Sequence, residues 1–423
     1  MSKSRHPGPI DRAKRFFRDL GPGLVTGAAD DDPSGISTYS VTGSQFGFGL
    51  IWTVLFTFPL MTGVQLMCAR LGLVAREGFA AALRQYSPRW LLVTACVLLI
   101  VANVVNIAAD LSGMAESLEM VSGVSHRLWL PVIAIGLTVA VVFWSYKRLA
   151  KIFKWLTLTL VTYILAAFLS KPNWGEVLRA AVIPHIELDR AYLATLVGVL
   201  GTTITPYMFF WQSAQEVEEI RESHAGVGHW QRLLPSRLRS ATTDVVAGMG
   251  WAGVVMFFII LTSATSLHKP GMPPIESAQQ AATALRPVAG EAAYLLFALG
   301  IVGAGVLAVP VLAGSAAYAL SEAMNWKGSL DDKPRAAPHF YAILILAVLM
   351  GLGLSFAKVA AVKALFIAAV VNGILAPPLV AMVTWLTSRS DIMGKHVNPP
   401  ILKGIGWFTA AAMSIAVVAM FVL

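Results

Sequence analysis

The sequence GPGLVTGAADDDPSGISTYSVTGSQFGFG, residues 21–49, interrupts an apolar run with consecutive aspartates and a proline. Pro33 lacks a backbone N–H, so a helix through this stretch should unwind near Asp32. A second apolar run, LVGVLGTTITPYMFFWQS at residues 196–213, is interrupted in the same way by Pro206 and the glycines before it. Broken helices at corresponding places in the two halves of a chain are the best sequence signal for the substrate site of a membrane transporter.

The composition of the whole chain supports a membrane location. Hydrophobic residues make up 57% of the 423 residues, charged residues make up 13%, and the mean hydropathy is +0.69. Soluble domains carry roughly 25% charged residues, so much of this surface must face lipid. Residues 23–423 are therefore predicted to form a single transmembrane domain, preceded by a basic cytoplasmic tail at residues 1–22.

Apolar runs long enough to cross a ~30 Å hydrocarbon core recur along the chain, which predicts an all-α polytopic membrane fold. The eleven predicted spans are 23–47, 50–70, 90–121, 128–145, 152–170, 192–217, 241–265, 291–320, 338–356, 362–386 and 402–423. Because the broken spans are the first and the sixth, we predict a five-plus-five inverted repeat of the LeuT type. Its parts are repeat one at about 23–170, repeat two at about 192–386 and an extra helix at about 402–423.

Positive charge is distributed unevenly between the predicted loops. With the N-terminus inside, 24 of the 32 Lys and Arg residues fall on the cytoplasmic side. This bias predicts a multi-pass protein of the cell inner (plasma) membrane, with its N-terminus cytoplasmic and its C-terminus outside. The net charge of +9 is thus an orientation signal. The lipid bilayer is expected as a partner, whereas nucleic acid is not, and no obligate protein partner is evident.

Asp32 is the first candidate site residue. A carboxylate inside the membrane is costly unless it is paired, so it indicates a functional site by default. The carbonyl groups freed at a broken helix carry partial negative charge and suit a cation. The alternative is structural, because Asp32 could cap a half-helix by accepting backbone N–H groups. For Asp30 and Asp31 the two interpretations are equally favoured, since successive helical side chains point in different directions.

At both breaks the sequence resembles the NRAMP family of divalent-metal transporters. That family has a DPGN motif in its first helix and an MPH motif in its sixth, and the aligned residues here are Asp32–Gly35 and Thr205–Tyr207. The family's second-helix pattern and its junction between the fourth and fifth helices also have counterparts, at Gln65–Gly72 and Tyr146–Leu149. The resemblance spans nearly the whole chain, and it implies a metal site between the two breaks.

The departures from the family pattern indicate a different cargo. In NRAMPs the metal lies between the helix-1 Asp and Asn and the helix-6 Met, but here the Asn is Gly35 and the Met is Thr205. Without the thioether only oxygen donors remain, and these suit hard cations. Without the two longer side chains we expect a wider pocket, in which Mg²⁺ could keep part of its hydration shell. In these respects the chain resembles the NRAMP-related magnesium transporters.

The resemblance implies a metal site whose members are Ala29, Asp32, Gly35, Thr202 and Thr205. Further candidates that could line this site are Gln65, Asn372, Asp31 and Tyr207. For Thr205 the alternative is a packing threonine, and for Gln65 and Asn372 it is an interhelical hydrogen bond without ion contact. Mg²⁺ and Mn²⁺ are expected as transported substrates, and no cofactor is expected.

Proton-coupled NRAMPs resemble one another in a chain of titratable groups that leads away from the site. Here the family's His is Tyr207 and the Glu of its helix-3 pair is Gly113, so Asp110 remains as the possible pathway residue. All eight histidines are expected in loops or tails, which leaves no imidazole relay in the membrane. We therefore expect transport to be driven by the ion gradient and the membrane potential rather than by proton symport.

Three alternative functions follow from the same residues. A conventional proton-coupled Mn²⁺/Fe²⁺ symporter is disfavoured by the absence of the Met and of the relay. An amino-acid carrier is disfavoured because consecutive aspartates would repel a substrate carboxylate. A membrane enzyme is disfavoured because the apolar segments contain no nucleophile–base pair, His cluster or phosphate loop.

Two polar regions are expected to serve general roles. Glu116 and Glu119, near the outer end of the third span, should attract cations or meet solvent. The polar and basic stretch at residues 218–240 should form a solvated linker.

The predicted orientation can be tested with cysteine reporters. In a chain with Cys68 and Cys96 replaced by Ala, we expect a cysteine at Lys171 to react with a membrane-impermeant maleimide in intact cells. A cysteine at Arg76 should react only after the membrane is permeabilised. The reverse pattern would contradict the orientation.

Overall fold

The fold was obtained as a computed structural model, which describes residues 27, 29–143, 161–222, 227–269, 275, 277–357 and 359–423. The described residues form helices joined by turns and short irregular segments. The helices are α1 (Pro33–Phe46), α2 (Thr53–Ala75), α3 (Phe79–Tyr86), α4 (Arg89–Ser122), α5 (His126–Phe143), α6 (Val161–Leu169), α7 (Trp174–Val182), α8 (Arg190–Thr203), α9 (Pro206–Glu222), α10 (Val227–Leu267), α11 (Ala278–Ala282), α12 (Arg286–Ala289), α13 (Ala293–Ala323), α14 (Pro338–Ser355), α15 (Ala361–Thr387), α16 (Ser390–Met393) and α17 (Pro400–Val422).

Nine helical stretches among the described residues are long and apolar enough to cross a membrane. They correspond to nine of the predicted spans. The two others, 23–47 and 152–170, lie partly outside the described residues, and the tail and the Tyr146–Leu149 motif lie entirely outside them. We call the two ends of the helix bundle outer and inner, according to the orientation that the charge bias predicts.

Both predicted helix breaks are present. Helical backbone before Asp31 gives way to a bend, and α1 begins at Pro33 with Asp32 as its N-cap. In the second half, α8 ends at Thr203 and α9 begins at Pro206. A proline at the first helical position is favoured because its missing N–H has no intrahelical partner there. The two prolines therefore act as starts of new helices.

The stretch at 218–240 differs from the predicted solvated linker. Here α9 continues to Glu222 and α10 begins at Val227, so most of the stretch is helical. The Trp230 indole N–H donates to the Leu73 carbonyl at 3.3 Å, and Trp230 packs with Leu73, Ile220 and Leu234. The prediction of a linker was wrong because the many basic residues around Trp230 made the stretch look solvated along its whole length, although Trp230 packs in an apolar cluster.

The expectation that every histidine lies in a loop or a tail is also wrong in part. His126, His229 and His339 occupy the first turns of α5, α10 and α14. His126 forms an exposed contact with Glu119, and His339 stacks on Trp326. Both positions are at the ends of spans, away from the two breaks.

Close backbone contacts fix the second broken helix. A Cβ atom built on Gly201 of α8 would overlap with the Ala369 carbonyl and the Gly373 amide of α15. Reciprocally, a Cβ on Gly373 would overlap with the Val197 carbonyl. Small residues allow such approach between membrane helices, where packing and interhelical polar contacts drive association. The contact places Asn372 of α15 beside the end of α8.

We expect Gly201→Ala to destabilise the protein, because the added methyl group overlaps with backbone that cannot move aside. Overpacking of this kind costs about 1–3 kcal/mol, which should appear as a lower melting temperature of the purified protein in detergent. Gly353→Ala is the matched control, since its Cβ would have no neighbouring atom within 4 Å. Equal melting temperatures for the two variants would contradict this packing.

Candidate functional site

Asp32 lies at the centre of the first break and is almost completely buried. One carboxylate oxygen, Oδ1, accepts hydrogen bonds from the Ser34 hydroxyl at 2.6 Å and from the Gly35 backbone N–H at 2.8 Å. The other oxygen, Oδ2, is buried without a hydrogen-bond partner. Asp32 therefore fits both interpretations. Oδ1 caps α1, and Oδ2 remains available as a ligand for a cation.

The second break contributes hydroxyl groups. Thr202 and Thr205 are fully buried, and neither hydroxyl oxygen has a partner in hydrogen-bond geometry, although Thr202 lies close to the Tyr39 hydroxyl and Thr205 close to the Tyr207 hydroxyl. Thr203, between them, instead donates to the Val199 carbonyl of its own helix at 2.9 Å. A buried hydroxyl without a partner loses free energy unless a water molecule or an ion satisfies it. The hydroxyl oxygens of Thr202 and Thr205 are therefore available to bind a water molecule or a cation.

Gly35 brings the two breaks together. A Cβ atom built on Gly35 would lie 3.1 Å from the Thr202 hydroxyl oxygen and 3.5 Å from the Tyr39 ring. The space beside Gly35 is therefore filled by α8 and Tyr39. The expectation that the missing side chain leaves a wider pocket is wrong for this arrangement, in which glycine instead permits the close approach of Thr202.

Tyr207 links the half-helices on the inner side of the breaks. Its hydroxyl group donates its one proton to the Ala29 carbonyl at 2.9 Å and lies close to the Asp32 carboxylate. A carbonyl oxygen has two lone pairs, so the Ala29 oxygen keeps one for a further donor or a cation. Ala29 and Tyr207 are thus both placed at the first break.

Several more carboxylates lie buried near Asp32. Asp30 and Asp31 are almost fully buried, and none of their side-chain oxygens has a hydrogen-bond partner. Asp110 on α4 is equally buried and unpartnered, and it interacts electrostatically with Asp32. Among the described residues, no Lys or Arg forms an ion pair with these groups. Charged groups in this environment need a counter-charge, so the cluster favours a cation.

The donors are not arranged as a cage of metal-binding side chains. Within the described ranges no group of three or more His, Cys, Asp or Glu residues is placed to hold a metal ion. The available donors are one Asp32 oxygen, the Thr202 and Thr205 hydroxyls and backbone carbonyls of the unwound segments.

Asn106 is a polar residue that the sequence analysis missed. Its amide group donates to the Asn372 side-chain oxygen at 2.8 Å, which joins α4 to α15 inside the bundle. The Asn106 oxygen and the Asn372 nitrogen remain buried without partners. The spacing of Asn103, Asn106 and Asp110, three and then four residues apart, places all three on one helix face and was the signal available.

Gln65 on α2 is also buried, with its side-chain oxygen unpartnered. Of the two candidates, Asn372 forms the interhelical hydrogen bond that was the structural alternative. The Gln65 side-chain oxygen remains available as an acceptor.

Aromatic and hydroxyl side chains pack on either side of the two breaks. On the outer side Thr38 and Tyr39 of α1 are buried, and on the inner side Phe210 of α9 packs on Phe79 of α3 with ring centroids 4.8 Å apart.

Comparisons with known proteins agree with this architecture. A family model described as natural resistance-associated macrophage protein-like (Nramp) matches residues 23–423. The divalent metal cation transporter MntH of Aeromonas hydrophila is 26% identical over 407 residues, which cover 92% of this chain and 91% of that protein. MntH of Klebsiella pneumoniae is 26% identical over 428 residues, covering 97% and 96%.

Solved structures show the same fold. A manganese transporter of Eremococcus coleocola aligns with a TM-score of 0.76 at 16% identity, covering 98% of this chain and 88% of that chain. MhsT in complex with L-phenylalanine aligns with a TM-score of 0.59 at 13% identity, covering 95% and 97%. At these identities the likeness establishes the fold and no more.

Nramp proteins are metal ion transporters and not enzymes, and the metal is their substrate rather than a cofactor. Because the family model matches the entire predicted membrane domain, this chain belongs to the Nramp family of metal ion transporters.

Proposed function

We propose that this protein takes up Mg²⁺, and also Mn²⁺, as a partly hydrated ion through the plasma membrane. The observation that carries this proposal is the chemistry of the unused donors at the two breaks. They are Asp32 Oδ2 and the hydroxyls of Thr202 and Thr205, all oxygen atoms. Thr205 stands where the family motif has Met, so the ligand that rewards softer transition metals is replaced by a hydroxyl.

Magnesium fits such a donor set. Mg²⁺ prefers oxygen ligands, sheds water reluctantly and is usually bound by one or two carboxylates together with retained water molecules. Asp32 Oδ2 would supply the carboxylate contact. The threonine hydroxyls, which both donate and accept hydrogen bonds, suit the water molecules of the ion. The nearby carboxylates of Asp31 and Asp110 add negative charge that attracts any divalent cation.

We further propose that the membrane potential is a sufficient driving force. A charge moving through the membrane gains roughly 2.3 kcal/mol per 100 mV, and a divalent ion gains about twice that. At the position of the family's His, Tyr207 instead forms a hydrogen bond to the Ala29 carbonyl. At the position of the helix-3 Glu, a Cβ on Gly113 would lie 2.9 Å from Leu365 Cδ1, so this face of α4 is used for packing.

The second candidate function is a proton-coupled Mn²⁺/Fe²⁺ symporter. One observation favours it, because Asp110 is a buried carboxylate without a hydrogen-bond partner close to Asp32 and could accept a proton. The names of the relatives, divalent metal cation transporter and manganese transporter, also favour manganese as a substrate. The following experiments distinguish the two functions.

In liposomes that contain the purified protein and a magnesium-sensitive dye, we expect saturable Mg²⁺ influx that Mn²⁺ inhibits. Asp32→Ala should abolish this influx because it removes both the free carboxylate oxygen and the α1 cap. Asp332→Ala, a change at an exposed aspartate, is the control and should transport normally. Mn²⁺ transport without any Mg²⁺ influx would exclude the magnesium assignment.

Thr205→Met tests the selectivity argument directly. A thioether at this position should favour Mn²⁺ over Mg²⁺ by on the order of tenfold, equivalent to ~1.4 kcal/mol, measured as the ratio of kcat/KM for the two ions. Thr205→Val removes the hydroxyl group without adding sulfur, so it should slow both ions alike. An unchanged Mn²⁺/Mg²⁺ ratio in Thr205→Met would show that this position does not set selectivity.

A pH-sensitive dye in the same liposomes tests the driving force. We expect Mg²⁺ influx to increase with an inside-negative potential and to proceed without matching acidification of the lumen. Acidification at a rate comparable to the metal flux would identify the protein as a proton symporter.

A further inference from the structure

Glu116 on α4 connects three elements at the outer end of the bundle. One of its carboxylate oxygens accepts the Ala278 N–H at 2.9 Å, and the other accepts the Ala361 N–H at 3.1 Å. Ala278 and Ala361 are the first residues of α11 and α15. Glu116 is partly exposed and lines an outer cavity, as expected of a residue that meets solvent, but both of its oxygens also bind the protein. Its attraction of cations stays a prediction.

Glu119, one turn farther along α4, behaves differently. It is more exposed and pairs with His126 of α5 at 2.7 Å. The two glutamates line the same outer cavity of about 700 Å³. The Glu119 carboxylate contacts the side chain of His126, whereas Glu116 accepts backbone N–H groups at the starts of two other helices. Glu119 is thus a natural control for Glu116.

Glu322 forms a comparable contact at the inner end. It is the penultimate residue of α13, and its carboxylate accepts the Ala81 N–H in the first turn of α3 at 3.1 Å. The first N–H of α3, that of Phe79, is donated to the Ser213 hydroxyl of α9 at 3.0 Å. A Cβ atom on Gly78 would overlap with the Glu322 carboxylate, so the residue before α3 must be glycine for this contact to form.

The two contacts occupy corresponding places in the predicted inverted repeat. In that repeat the second span corresponds to the seventh and the third to the eighth. Glu116 is near the end of the third span and binds the short helix that follows the seventh. Glu322 is near the end of the eighth span and binds the short helix that follows the second. Between them, Asn103 of α4 donates to the Leu312 carbonyl and the Ser315 hydroxyl of α13 at 2.7 and 2.8 Å, which joins the two glutamate-bearing helices.

We propose that Glu116 and Glu322 are the outer and inner gate residues of the transport cycle. Each carboxylate holds closed the end of the bundle at which it lies, and both contacts are made in this structure. Opening of one end breaks the contact there while the other contact persists, so that the metal site never faces both sides at once. This inference requires only that the chain is a metal carrier of its family, and it does not depend on which ion is carried.

The strength of these contacts predicts the size of the effect. A hydrogen bond from a backbone N–H to a carboxylate is charge-assisted, and the start of a helix adds favourable electrostatic energy. Loss of one such bond should shift an equilibrium between closed and open forms by about tenfold. Removal of Glu116 should favour the outward-open form, whereas removal of Glu322 should favour the inward-open form.

The test measures the labelling rate of one cysteine reporter in two variants, which are expected to change that rate in opposite directions. Thr38 lies on α1 on the outer side of the break, with its methyl carbon 3.6 Å from where a Cβ on Gly198 of α8 would be. In a chain with Cys68 and Cys96 replaced by Ala, Thr38→Cys should react with an external membrane-impermeant maleimide only while the outer end is open. We expect Glu116→Ala to increase this reaction rate about tenfold and Glu322→Ala to decrease it, while Glu119→Ala leaves it unchanged.

Two further variants keep the test decisive where an alanine variant does not fold. Gly78→Ala retains the Glu322 carboxylate but displaces it, so it should lower the labelling rate as Glu322→Ala does. Glu116→Gln retains one acceptor oxygen, so its rate should lie between those of the parent and Glu116→Ala. Labelling rates that do not change, or that change in the same direction at both glutamates, would overturn the proposal and assign these residues a purely structural role.

Discussion

The architecture depends on the burial of carboxylate groups at a broken helix. Asp32 is held in place through one oxygen by the Ser34 hydroxyl and the Gly35 N–H, while its second oxygen lies in the protein interior without a partner. Such a group is costly in a membrane, and the adjacent Asp30 and Asp31 add to that cost. In the proposed function a cation at the site would offset this cost, which would connect the unusual local structure to transport.

Packing between the surrounding helices holds the two breaks next to each other. Close contact between α8 and α15 at Gly201 and Gly373 positions the second break, and Gly35 lets Thr202 approach the first. The hydrogen bond between Asn106 and Asn372 then ties α15 to α4, the helix that carries Asp110. The hydroxyl groups of the second break and the carboxylates of the first are thus brought together by packing between helices that are distant in the sequence.

Local features were predictable from the sequence, whereas pairings between distant residues were not. Pro33 and Pro206 predicted both helix breaks because a missing N–H has a strictly local effect. The contacts of Glu116 join residues 162 and 245 positions apart, and nothing in the local pattern indicates them. The helical character of residues 227–240 was missed because the basic side chains around Trp230 are typical of a cytoplasmic linker. The prediction of a wider pocket at Gly35 was wrong because the sequence does not show that Thr202 fills the space. The inverted repeat and the orientation of the chain stay predictions, supported by the order of the breaks and by the charge bias.

The central claim is that oxygen donors at the two breaks accept Mg²⁺ about as readily as Mn²⁺. Equilibrium binding of the two ions to the purified protein, measured by titration calorimetry, tests this claim most directly because it involves no driving force. The account predicts dissociation constants that agree within about tenfold, a difference of ~1.4 kcal/mol. Binding of Mn²⁺ that is tighter by about 1,000-fold, with no competition from Mg²⁺, would contradict it.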